Sequence, residues 1–135
     1  MPNTINLHVA SMVAQARSEI EEIEAKDATS LSDDPKVVFV DLRDIRERQR
    51  SGYIPNSFHC PRGMAEFWVD PKSPYFKDIF DRDVRFIFYC ASGWRSALTL
   101  QTLQKMGFQN AAHLAHGFTS WTEAGGPVER QEGAK

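Results

Sequence analysis

Cys90 is the residue of this 135-residue sequence whose type and setting best suit covalent chemistry. A thiolate is a nucleophile, and Cys90 is followed by Ala91, Ser92, Gly93, Trp94, Arg95 and Ser96, mostly small side chains with one guanidinium. If residues 91–96 form a loop that opens a helix, their backbone N–H groups and the helix dipole can hold an anion without a metal. The same field favours thiolate over thiol. Gly93 permits a turn that a Cβ would resist, and Arg95 offers a planar fork for an oxyanion. The competing reading makes Cys90 a small hydrophobe closing a core strand.

The surrounding elements favour the reactive placement. Residues 84–89, VRFIFY, read as a buried strand ending just before Cys90. Ala97, Leu98, Leu100, Leu103 and Met106 then recur at helical spacing, with Gly107 placed to cap the end. Upstream, VVFVDL at 37–42 is a β-branched and aromatic run short enough for a strand buried on both faces. A short helix through Ile45 to Gln49 follows. Gly52, Tyr53, Ile54 and Pro55 make a turn, Ser57 to Cys60 a second strand, and Ala111 to Leu114 a last weak one. Phe118 and Trp121 fall on a short closing helix. At the start, Val9, Met12, Val13, Ala16, Ile20 and Ile23 lie on one face of an amphipathic helix, and residues 27–34 read as a loop. Packing on its own domain is favoured for that helix over a partner groove or a membrane surface. Strands separated by helices, with connections too long for hairpins, predict an α/β fold: a parallel central sheet with helices on both faces, preceded by the amphipathic helix. Residues 62–83, with Phe67, Trp68, Tyr75, Phe76 and Phe80 among prolines and charges, read as a long excursion with helical turns near the site.

Composition narrows the classes. Hydrophobic residues at 41% and charged residues at 25% suit one globular core. A net charge of -2, with basic and acidic residues interleaved, argues against nucleic-acid partners. No apolar run reaches the roughly 20 residues of a membrane helix, and two cysteines are too few for a disulfide scaffold. The expectation is a cytoplasmic protein with reduced thiols and no membrane partner. Residues 1–34 are expected to be a helix and loop packed on a domain at 35–129, with 130–135 a disordered tail.

Four segments, taken together, resemble the rhodanese family. Residues 90–96 resemble its active-site loop. Asp41, Leu42 and Arg43 with Glu47 are similar to its early acidic and basic motif, residues 52–57 to its Gly-His-Ile-Pro-Gly-Ala turn, and Gly117 and Phe118 through Trp121 to Val128 to its closing motif. The resemblance covers about 37–128 and implies a sulfurtransferase. Cys90 would be the nucleophile and persulfide carrier, the amides of 91–96 the anion cradle, and Arg95 an electrostatic support. The partners implied are a small sulfur-donor anion such as thiosulfate and a thiol, protein or cyanide acceptor, with no metal or organic cofactor. A second reading is a non-catalytic or partner-dependent delivery module, docked through the aromatic excursion. A third, phosphatase or arsenate reductase, is disfavoured because those relatives place five residues between Cys and Arg, whereas four stand between Cys90 and Arg95. Departures from the family pattern include Ala91 where several thiosulfate-using members carry a basic side chain, Tyr53 for His, and His116 where a second Gly is common. Arg62 or Lys72 is the candidate for the missing charge.

Other polar residues read as structural. Arg43 and Glu47 have helix-neighbour spacing, and Asp41 lies at a strand end where a paired ion would brace the loops. Cys60 reads as a buried strand residue in preference to a thiol that resolves the persulfide. His113 and His116 have ligand-like spacing but no accompanying cluster, so no metal site is expected. Trp94 fits the rim of the pocket and the core equally well.

Overall fold

A computed structural model describes residues 2–130. Five strands, β1 (Glu22–Ile23), β2 (Val37–Asp41), β3 (Phe58–His59), β4 (Arg85–Tyr89) and β5 (Ala111–Leu114), form one sheet in the order β1-β5-β4-β2-β3. Every pairing is parallel. The helices are α1 (Val9–Glu19), α2 (Ala25–Ala28), α3 (Ile45–Ser51), α4 (Ala65–Val69), α5 (Trp94–Met106) and α6 (Gly117–Glu123). The α/β architecture is the one expected. The expected tail at 130–135 lies, apart from Arg130, outside the described residues.

Both sheet faces are buried, and the period-2 pleat shows why β2 is apolar from Val37 to Val40 and β4 from Phe86 to Phe88. Val38, Val40, Leu42, Phe86 and Phe88 join Leu100 and Leu103 of α5 and Ala65 and Val69 of α4 in one core. Phe39, Ile87, Tyr89 and Leu114 join Ala25 and Ala28 of α2 and Phe118 and Trp121 of α6 in the other. α1 sets Val13 and Ala16 against Ala97 of α5. It stops sooner than its apolar spacing suggests: Ile20 is already extended, and Val9 and Met12 are exposed.

Two readings of the chain are corrected. Residues 22–31, expected as a helix end and a loop, form β1, α2 and a 3-10 turn. A two-residue edge strand has no period to read, and β1 exists only because β5 pairs with it, Glu22 opposite His113 and Ile23 opposite Leu114. The excursion at 62–83, expected near the site, has helical turns, but three of its aromatics are core residues. Trp68, Phe76 and Phe80 pack into the core with Phe58, Phe86, Phe88 and Phe108, and Phe80 has four aromatic neighbours. Burying those rings draws the segment toward the strand starts. Asp70 and Pro71 line a cleft with Val84 and Asn110, at the end of the sheet opposite Cys90, and this carries the adjacent Lys72 away from the site.

Candidate active site

Cys90 leaves the carboxyl end of β4 in the middle of the sheet, and α5 begins four residues later. This is the strand-end position where parallel sheets bind ligands. The loop wraps the sulfur. The Gly93 N–H donates to Sγ at 3.1 Å, the Ser96 N–H lies at 3.4 Å, and the Ser96 hydroxyl is 3.6 Å away. Two amides aimed at one sulfur stabilise negative charge there, and the N-terminus of α5 adds its dipole. Cys90 is 0% exposed, so the loop must open before anything reaches the thiol.

Two glycines make this loop sterically feasible. Gly93 has φ +94°, the left-handed region, and caps α5 from below. Gly117 has φ +64°, and a Cβ there would fall 2.5 Å from the Cys90 carbonyl oxygen. That carbonyl accepts the Phe118 N–H and the Ala91 carbonyl the Thr119 N–H, so the first turn of α6 is pinned to the loop. His116 takes φ 61° and Asn56 φ 65°, two positions where the family pattern has glycine. Asn tolerates that region better than most residues.

The charged residues sort differently from the expectation. Arg95 was expected to offer its fork to an oxyanion. In the structure Nη1 and Nη2 both donate to the Glu47 carboxylate, at 2.9 and 3.0 Å, so the fork is occupied and braces the loop against α3. Glu47 does not pair with Arg43 as a helix neighbour, because α3 starts only at Ile45. Its carboxylate instead accepts the Asp44 N–H and closes a capping box, and the bonds from Arg95 hold its pKa below the ordinary value despite partial burial. Arg43 belongs to Asp41. The fully buried Asp41 carboxylate accepts from the Arg43 backbone and side chain, from Arg48 and from the Tyr89 hydroxyl, all within 3.0 Å. Arg43 also donates to the Gly52 carbonyl at 2.7 Å and lies 4.4 Å over the Phe118 ring. Burial opposes its charge, but Asp41 outweighs burial and keeps its pKa raised. This knot ties β2, the 52–57 turn, β4 and α6 together beneath the loop.

Ala91 is half-buried, while Ser92 and Trp94 are exposed, so Trp94 is not a core residue. Arg62 stands at the correct end of the sheet, its N–H on the Leu42 carbonyl, but its side chain pairs with Glu66. Cys60 is buried, free, and pushed by burial up to about 12. Among the described residues no group of three His, Cys, Asp or Glu side chains is placed to hold a metal, and no helix is long and apolar enough to cross a membrane.

One connected set escaped the sequence reading. The Ser96 hydroxyl is 2.7 Å from Nδ1 of His113, and Nε2 of His113 is 2.7 Å from a Glu22 oxygen that also accepts from Arg17. His113 is 1% exposed and forms this chain from the middle of β5. Only the β1-β5 pairing, invisible in the sequence, supplies Glu22.

The rhodanese-like domain family matches residues 24–124, and the chain belongs to that family. It is 51% identical to a Rhodopseudomonas palustris protein of unknown function described as a possible tyrosine phosphatase. That structure covers 96% of this chain and 99% of its own, with a TM-score of 0.91. The chain is 28% identical to mouse thiosulfate sulfurtransferase/rhodanese-like domain-containing protein 3, over 79% of this chain and 71% of the mouse protein. It is also 30% identical to the Actinobacillus succinogenes thiosulfate sulfurtransferase GlpE, over 70% of this chain and 79% of that one.

Proposed function

We propose that this protein is a sulfurtransferase in which Cys90 carries sulfane sulfur as a persulfide. The observation that carries this reading is the loop itself: Sγ accepts from the amides of Gly93 and Ser96 at the end of a parallel strand. The Cys90 thiolate attacks the outer sulfur of a donor such as thiosulfate. A new S–S bond forms, the donor's S–S bond breaks, and sulfite leaves with the bonding electron pair. An acceptor, a thiolate or cyanide, then attacks the outer persulfide sulfur and releases the Cys90 thiolate. Backbone amides suit both steps because they stabilise charge at sulfur before and after transfer. The electrons balance within the two substrates, so the cycle needs no metal or cofactor. Two free thiols suit a reducing compartment such as the cytoplasm.

The description of the R. palustris relative raises a second reading, phosphate-ester hydrolysis. Four residues between Cys90 and Arg95, and an Arg95 fork bound to Glu47, leave little to surround a tetrahedral oxyanion. Intact mass after incubation with thiosulfate separates the two. The wild type is expected to gain one reducible sulfur, about 32 mass units, and Cys90→Ser none. Absence of the adduct on an alkylatable Cys90, with hydrolysis of p-nitrophenyl phosphate, would overturn the sulfurtransferase reading.

A further inference from the structure

We infer that His113, acting through the Ser96 hydroxyl and oriented by Glu22, is a positioning base that receives the Cys90 proton and thereby sets when the thiolate forms. The inference rests on Cys90 being the working nucleophile of the proposed function, and it adds a proton path from that sulfur.

The geometry fixes the direction of each bond. The Glu22 carboxylate can only accept, so the 2.7 Å contact requires a proton on Nε2 of His113. A neutral imidazole then has a lone pair on Nδ1, which accepts the Ser96 O–H at 2.7 Å. With its own proton so committed, the Ser96 oxygen faces Sγ at 3.6 Å as an acceptor for the Cys90 S–H. Ionisation shifts two protons by one bond each: Cys90 gives its proton to Ser96 Oγ, and Ser96 gives its own to His113 Nδ1. The product is a thiolate that accepts from Ser96 O–H and the two loop amides, and an imidazolium between Ser96 and Glu22. No atom is gained or lost, and charge separates across one buried hydroxyl.

The surroundings suit that role. The charged and titratable groups facing the ring are Glu22 on β1, Arg17 on α1, His116 beyond β5 and, through Ser96, Cys90. Burial holds the imidazole below its ordinary value, which leaves the ring unprotonated at neutral pH, and Glu22 acts against burial to support the imidazolium once it forms. Burial raises Glu22, but bonds from Arg17 and His113 outweigh it and keep the carboxylate ionised. Glu22 is 27% exposed at its side chain, which gives the chain of bonds an outlet to solvent.

The test is the rate of Cys90 alkylation by iodoacetamide, read by peptide mass at pH 6.5 and 9.5, on the wild type, His113→Asn, Ser96→Ala and Glu22→Gln. The rate at pH 9.5 reports access to the thiol, and the ratio of the two rates reports thiolate formation. His113→Asn and Ser96→Ala are expected to lower the 6.5-to-9.5 ratio about tenfold, with the double variant no lower than either single one. Glu22→Gln should lower it by a smaller factor. Ratios within about twofold of the wild type would overturn the inference, and a purely structural role would move both rates together. If His113→Asn does not fold, Ser96→Ala and Glu22→Gln decide the matter alone. Iodoacetamide needs no sulfur donor: a lowered ratio without sulfur uptake by the wild type would leave the proton path standing and remove the sulfurtransferase reading. Normal uptake with an unchanged ratio would do the reverse.

Discussion

Asp41 and Arg43 illustrate how one buried ion pair can organise a loop without touching the Cys90 sulfur it surrounds. Asp41 is 0% and Arg43 2% exposed, and among the described residues no fully buried side-chain nitrogen or oxygen lacks a hydrogen-bond partner. Removing one member leaves the other charge buried, which is the expensive way to break such a pair. Arg43→Met is therefore expected to destabilise the fold by roughly 3 kcal/mol in urea unfolding, even though Arg48 still contacts Asp41. A loss below about 1 kcal/mol would show that Arg48 alone satisfies the carboxylate. The sequence placed Asp41 at its strand end and gave both residues a bracing role. It paired Arg43 with the wrong carboxylate because spacing alone could not show that α3 begins two residues later. The partner of Arg95 is equally hidden from spacing, since Glu47 lies 48 positions away.

At the scale of elements, the loop holds its shape because α6 is pressed onto it from one side and α5 starts from the other. Gly117 is the contact point, and φ +64° with only 2.5 Å between its absent Cβ and a carbonyl leaves no room for a side chain. Gly117→Ala is expected to destabilise the protein by about 2 kcal/mol and to lower sulfur uptake by Cys90, as the loop shifts away from Sγ. Chemical unfolding and intact mass after thiosulfate check both parts, and an unperturbed variant would mean that the loop keeps its geometry without α6. The strong elements, β2, β4 and α5, were legible because each carries an uninterrupted or periodic apolar pattern. β1 was not, since two residues cannot establish a period.

On the acid side the whole molecule responds to pH through groups that bind protons less readily when folded. Hydrogen bonds from Arg95 hold Glu47 below its ordinary 4.5. Burial opposes ionisation of Glu22, but bonds from Arg17 and His113 hold it below 4.5 as well. Burial holds His113 below its ordinary 6.5. Each shift makes the unfolded chain the better proton acceptor, so the contribution of these groups is full above about pH 6.5 and falls as pH drops, first through the His113 range and then through the carboxylates. The urea midpoint measured from pH 8 to pH 3 should decline in that order, and Glu47→Gln should flatten the part below 4.5. A midpoint that rises on acidification would contradict the sign.

What the sequence determined by itself was local: which stretches are buried strands, which residues can turn sharply, and that a cysteine stands where a strand meets a helix. Those properties reside in side-chain volume, backbone freedom and period, all of which are written within a few residues. Tertiary structure decided everything that depends on two distant segments meeting. The Glu47–Arg95 brace, the Asp41 knot and the path from Cys90 through Ser96 and His113 to Glu22 each join residues brought together only by parallel strand order. Hydrogen bonds are short and directional, so their partners follow from where the backbone finally lies, and that is settled by packing two cores against one sheet.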